Sequence, residues 1–161
     1  MHGLRVDEHA RNPSDADAVL SRYGRLLYLS VAAAALAVLW LSSWLEPSPA
    51  GFGTHRRLGL PPCLFRACTR LPCPSCGLTT SFAHAARFQL RRAAAVHPFG
   101  PLAFALTWLA IPLSGVLLWR RVSWPSLLAA RLWKPLLWTL GAIYTAAWVH
   151  NLLLALTAAR R

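Results

Sequence analysis

Uncharged apolar runs alternate with short basic runs along the 161-residue chain. The first, LLYLSVAAAALAVLWLSSWL at 26–45, holds 20 positions without a charge. A helix rises about 1.5 Å per residue, so this run matches a hydrocarbon core about 30 Å thick. Arg22 and Arg25 flank its start. Trp40 and Trp44 lie near its far end, where an indole keeps its ring in apolar surroundings and its N–H among headgroups. Runs at 100–119 and 136–157 have the same character, and Pro112 should kink the second. The pattern predicts an all-α membrane protein with three transmembrane helices.

The polar stretches differ among themselves. Residues 1–25 are too poor in apolar side chains to bury a core and read as a polar, disordered tail with a turn at Asn12-Pro13. They contain no apolar core of a cleavable signal peptide, so the first span is expected to stay in the membrane. Residues 26–161 read as a single membrane domain. EPSPAGFGTHRRLGLPP, after the first span, has no period of 2 or 3.6 and reads as a loop. From Thr79 onward Phe82, Ala86, Leu90 and Ala93 recur at helical spacing, with Thr80, His84, Arg87 and Arg91 opposite. The segment 61–97 is therefore expected to be a cysteine-rich loop leading into one amphipathic interfacial helix, ended by His97-Pro98. RRVSWPSLLAARLWK, at 120–134, reads as a second interfacial helix with Ser123 as N-cap and Pro125 in its first turn.

Composition agrees: 56% of residues are hydrophobic and 14% charged, and the mean hydropathy is +0.41. The net charge of +12 first raises the question of nucleic acid. Basic residues flank the apolar runs and line no single helix face, so the lipid bilayer is the expected partner, with other membrane proteins, and no nucleic acid. Four of the five acidic residues (Asp7, Glu8, Asp15, Asp17) precede the first span, and Glu46 follows it. Arginine and lysine counts on the two sides nearly balance. Arg22 and Arg25 against Glu46 favour a cytoplasmic N-terminus, in a multi-pass protein of the cell membrane.

All four cysteines lie within 14 residues, as Cys63-x4-Cys68-x4-Cys73-x2-Cys76. A C-x2-C pair leading into a helix favours thiolate chemistry, because N–H groups at a helix start stabilise anionic sulfur. Three uses stay open. One or two disulfides could staple the loop in an oxidising compartment. Cys63, Cys73 and Cys76, with Cys68 or His84, could bind a metal, zinc being the best fit, if the thiols stay reduced. Or Cys73 could attack a disulfide with Cys76 resolving, and Cys63 with Cys68 as a second shuttle pair.

The run CLFRACTRLPCPSCGLTTSFAHAARFQLRRAAAVHPFG resembles the core of a bacterial membrane-protein family, domain of unknown function 2752. The matching positions are Cys63, Thr69, Pro72, Cys73, Pro74, Cys76, Gly77, Leu78, Thr79, Thr80 and Pro98. The chain has Leu64 where the family commonly has proline, Arg70 where it has glycine and His97 where it has Asn or Gln; Cys68 lies outside the pattern. The resemblance implies an integral membrane protein of the bacterial inner membrane. It implies no reaction.

His150 and Asn151 fall inside the third run, where polar groups usually face another helix. Thr107 and Ser114, or Ser42 and Ser43, are their expected partners, as interhelical glue. His97 reads as an interfacial residue. No G-x-S-x-G, H-E-x-x-H or phosphate-binding glycine loop is present, and no carboxylate lies in a span, so hydrolytic catalysis has no support. A structural or partner-binding membrane component is the expected function, with a thiol-disulfide oxidoreductase as the alternative.

Overall fold

The computed structural model describes the backbone of residues 13–121 and 133–159 and the side chains of residues 22–121 and 133–157. Among the described residues there is no strand, and six α-helices carry the fold: α1 (Pro13–Trp44), α2 (Leu64–Thr69), α3 (Leu78–Ala85), α4 (Leu90–Val96), α5 (Gly100–Trp119) and α6 (Trp133–Ala159). A 3₁₀ turn, Thr54–Leu58, lies between α1 and α2. Three stretches are long and apolar enough to cross a membrane: Arg22–Trp44, Gly100–Trp119 and Trp133–Thr157. The all-α, three-span architecture expected from the apolar runs is the one observed.

α1 begins at Pro13, within the stretch read as a polar tail. The proline's fixed φ suits a first turn, and extending a helix already nucleated by the apolar run costs far less than starting one. The predicted second interfacial helix, with Ser123 and Pro125, lies outside the described residues. Pro112 sits within α5 without ending it.

α1 and α5 pack against each other, and α3 packs on α4 and α5. The spans bury little within the chain and expose large apolar side chains such as Leu26, Leu36, Leu109, Leu137 and Leu153. Lipid is as apolar as leucine, so a membrane helix has no hydrophobic reason to hide these from it. The largest fully buried side chains, His97, Thr54, Thr80 and Ser81, lie instead in the segment joining α1 to α5.

That segment departs from the single amphipathic helix expected. The helix breaks after α3, where Phe88 takes φ 58°, and restarts at Leu90. The Ser81 hydroxyl donates to the Ala93 carbonyl at 2.8 Å, folding α4 back on α3. Part of the face read as polar turns inward, while Arg91 stays exposed. Thr80 is buried and shares a 2.8 Å hydrogen bond with Thr54. Arg87 caps the end of α1: its Nη1 donates to the carbonyls of Leu45 and Ala83 at 2.8 Å, and its Nη2 to that of Ser43 at 3.2 Å. A cation there meets carbonyls that lack helical partners and the negative end of the helix dipole. Periodicity shows which side chains share a face, but hydrogen-bonding needs decided which face turned inward.

Candidate functional site: a three-thiol cluster under a basic cleft

Cys63 stands at the N-cap position of α2. Cys73 and Cys76 lie in the turn before α3, where the Cys76 N–H donates to the Cys73 carbonyl at 3.0 Å. The three sulfurs lie within 4.8 Å of one another. The Cys73 thiol meets the Cys76 sulfur at 3.0 Å, and none of the four cysteines is joined in a disulfide. Cys68, exposed on α2, is not part of the cluster. Neither is His84, whose Nδ1 pairs with Gln89 Oε1 at 2.8 Å. The metal-ligand set expected from sequence thus contracts to Cys63, Cys73 and Cys76.

The thiols differ electrostatically. The backbone N–H of Arg66, in the first turn of α2, and then the Cys73 thiol hold Cys63 below the ordinary thiol range. Burial, and then Cys73, pushes Cys76 up to about 12. Cys63 therefore ionises before Cys76, which stays a neutral thiol unless something replaces its proton.

The rest of the motif holds this turn in place. Gly77 has φ 90°, a conformation L side chains avoid, and a Cβ there would lie 3.0 Å from Val96 Cγ1 and 3.1 Å from the Gly51 carbonyl. Both prolines present carbonyls to distant donors. Trp148 Nε1–H donates to Pro72 at 3.1 Å, and His97 Nε2–H donates to Pro74 at 3.1 Å. Thr80 ties α3 to Thr54, whose hydroxyl also accepts the Ser48 N–H at 3.0 Å. The Thr69 hydroxyl donates to the Phe65 carbonyl at 2.6 Å and accepts the Leu71 N–H at 3.2 Å, closing α2. Arg70 has φ 61°, which is a conformation glycine adopts without strain. Pro98 follows directly on His97 in the turn that opens α5, where the Gly100 N–H bonds the His97 carbonyl.

His97 is fully buried, not interfacial, and its ring stacks near Tyr144, with centroids 6.2 Å apart. Among the described residues its Nδ1 has no hydrogen-bond partner. The third span supplies more of the grip: the Tyr144 hydroxyl lies 3.3 Å from Ser75 Oγ, and Asn151 Nδ2 reaches the Val96 carbonyl at 3.5 Å. Residues 144, 148 and 151 follow the i, i+4, i+7 spacing of one helix face. That spacing, with a polar tip on each side chain, was the available sequence signal for Tyr144 and Trp148. The proposed glue between spans does not form as expected, since Ser42, Ser43 and Thr107 bond carbonyls of their own helices. His150 is exposed on α6, beside Thr145 and Val149.

A cleft of about 750 Å³ opens above the cluster. The three cysteines line it together with His55, Arg56, Arg57 and Arg66.

The sequence model of the family described as "Protein of unknown function (DUF2752)" matches residues 63–111. The matched segment runs from the first clustered cysteine into α5 and agrees with the resemblance read from the cysteine run. It contains the whole thiol cluster, while two of the side chains that clamp it, Tyr144 and Trp148, lie beyond it. No curated protein and no solved structure matches the chain.

Proposed function

We propose that the chain is a multi-span membrane component whose joining segment is locked by a thiophilic metal ion, zinc fitting best, held by Cys63, Cys73 and Cys76. The convergence of three sulfurs within 4.8 Å carries this reading. A disulfide uses two sulfurs and leaves the third idle, whereas a metal uses all three. Ligand sulfurs about 2.3 Å from a tetrahedral zinc stand about 3.8 Å apart, so small side-chain movements close the cluster on an ion. Binding would displace the proton that burial holds on Cys76, coupling affinity to pH. The bound metal's role is to hold the α1–α5 connection, as in structural zinc sites.

A second reading is favoured by one contact, the 3.0 Å approach of Cys73 to Cys76: thiol–disulfide exchange with that pair. The side of the membrane separates the two, since a metal site needs reduced thiols and an oxidising compartment favours the disulfide. The test is to purify the protein without added reductant and measure metal content and free thiols on one sample. About one metal per chain, lost in Cys73→Ser, with no disulfide is expected. A metal-free protein with four free thiols would refute the metal reading, and a Cys73–Cys76 disulfide would transfer support to exchange.

A further inference from the structure

The walls of the cleft over the thiols carry a charge pattern that the metal does not need. Arg56, Arg57 and Arg66 line it with His55, and among the described residues no carboxylate does. Glu46 lies outside the lining and pairs with Arg57, Nη1 to Oε2, at 2.6 Å. Arg66 is held with its Cζ 3.5 Å above the centroid of the Phe52 ring, which fixes the guanidinium and leaves its edge N–H groups free to donate. Arg56 is exposed, and among the described residues its guanidinium has no ion-pair or hydrogen-bond partner. The backbone under these side chains is anchored, because Thr54, two residues before Arg56, is buried and bonded to Thr80. Thr79 adds a hydroxyl to the lining.

Guanidinium groups around a cleft of this volume suit a phosphate, which accepts their parallel N–H bonds in pairs. The cleft also lies in the segment that joins the end of one span to the start of the next, the level of lipid headgroups. We propose that this cleft binds the phosphate group of an anionic ligand, with Arg56 and Arg66 as its principal contacts. A lipid headgroup and free phosphate offer the same chemistry. The proposal stands on the arginines and does not depend on the metal.

The test uses the full-length protein in a neutral detergent, titrated with dioctanoyl phosphatidic acid, with inorganic phosphate, and with dioctanoylglycerol, which has the chains but no phosphate. Binding is read by native mass spectrometry and calorimetry. Phosphatidic acid should bind, dioctanoylglycerol should not, and Arg56→Glu should weaken phosphatidic acid at least tenfold. Arg92→Glu, an exposed basic position on α4 outside the cleft, should change it less than twofold. Inorganic phosphate binding as tightly as the lipid assigns the site to a soluble phosphate; binding of the lipid alone assigns it to a headgroup, and either supports the proposal. Equal binding of dioctanoylglycerol, no binding of either phosphate-bearing probe, or equal losses in the two arginine variants would overturn it. Metal content measured on the same sample keeps a failed metal reading distinct from a failed phosphate site.

Discussion

Replacing Gly77 by alanine tests whether the motif glycine is required by conformation alone or also by crowding. A non-glycine residue in the left-handed region costs about 1–2 kcal/mol. Gly59 measures that cost by itself: its φ is 75°, and a Cβ there would meet nothing within 4 Å. At Gly77, where φ is 90°, the same Cβ would also lie 3.0 Å from Val96 Cγ1, 3.1 Å from the Gly51 carbonyl oxygen and 3.2 Å from that of Val96. The valine methyl can rotate away, but the two backbone oxygens move only if α4 and the loop after α1 move with them. Overpacking of this kind adds about 1–3 kcal/mol. Gly59→Ala should therefore cost about 1–2 kcal/mol and Gly77→Ala about 2–5 kcal/mol. Thermal unfolding in detergent, followed with a thiol-reactive fluorophore, reads the relevant region because three of the four cysteines lie in the cluster beside Gly77. Equal shifts in the midpoint for the two variants would refute the crowding argument and with it the close docking of the cysteine turn on α4.

Two further outcomes follow from the clamp and from the thiols. Trp148→Phe removes the indole N–H that donates to the buried Pro72 carbonyl and should cost about 1–3 kcal/mol, with faster alkylation of Cys76. Tyr144→Phe, which loses a 3.3 Å contact to exposed Ser75, should cost much less, and the reverse order in the same unfolding assay would contradict the clamp. In protein stripped of metal and reduced, mass-spectrometric alkylation rates should rise at lower pH for Cys63 than for an ordinary thiol. Cys76, pushed up to about 12, has a thiolate fraction of roughly 10⁻⁵ at pH 7 and should remain nearly inert. The sign for stability follows: a raised folded-state value stabilises fully below the ordinary thiol range and is lost as pH climbs from there towards about 12. Comparable alkylation of Cys63 and Cys76 at pH 7 would remove the electrostatic distinction between them.

Length and charge of the apolar runs determined, from sequence alone, that the chain is helical and crosses a membrane. Those features report the solvent each segment must meet, and a bilayer imposes its thickness directly on chain length. The cysteine run likewise pointed to the family whose model matches residues 63–111. Which sulfurs converge was not legible: Cys68 lies midway in sequence between Cys63 and Cys73, yet α2 carries it away while those two meet. The burial of Thr80 and Arg87's reach to α1 were equally hidden, because a polar side chain turns inward only where another element leaves an unpaired group for it to meet. Tyr144 and Trp148 lie more than 65 residues beyond the turn they clamp, in a span that hydropathy alone describes as lipid-facing. Local pattern decided the spans. The site exists only because three helices bring unsatisfied carbonyls, hydroxyls and thiols to one place, and that is a property of tertiary contact.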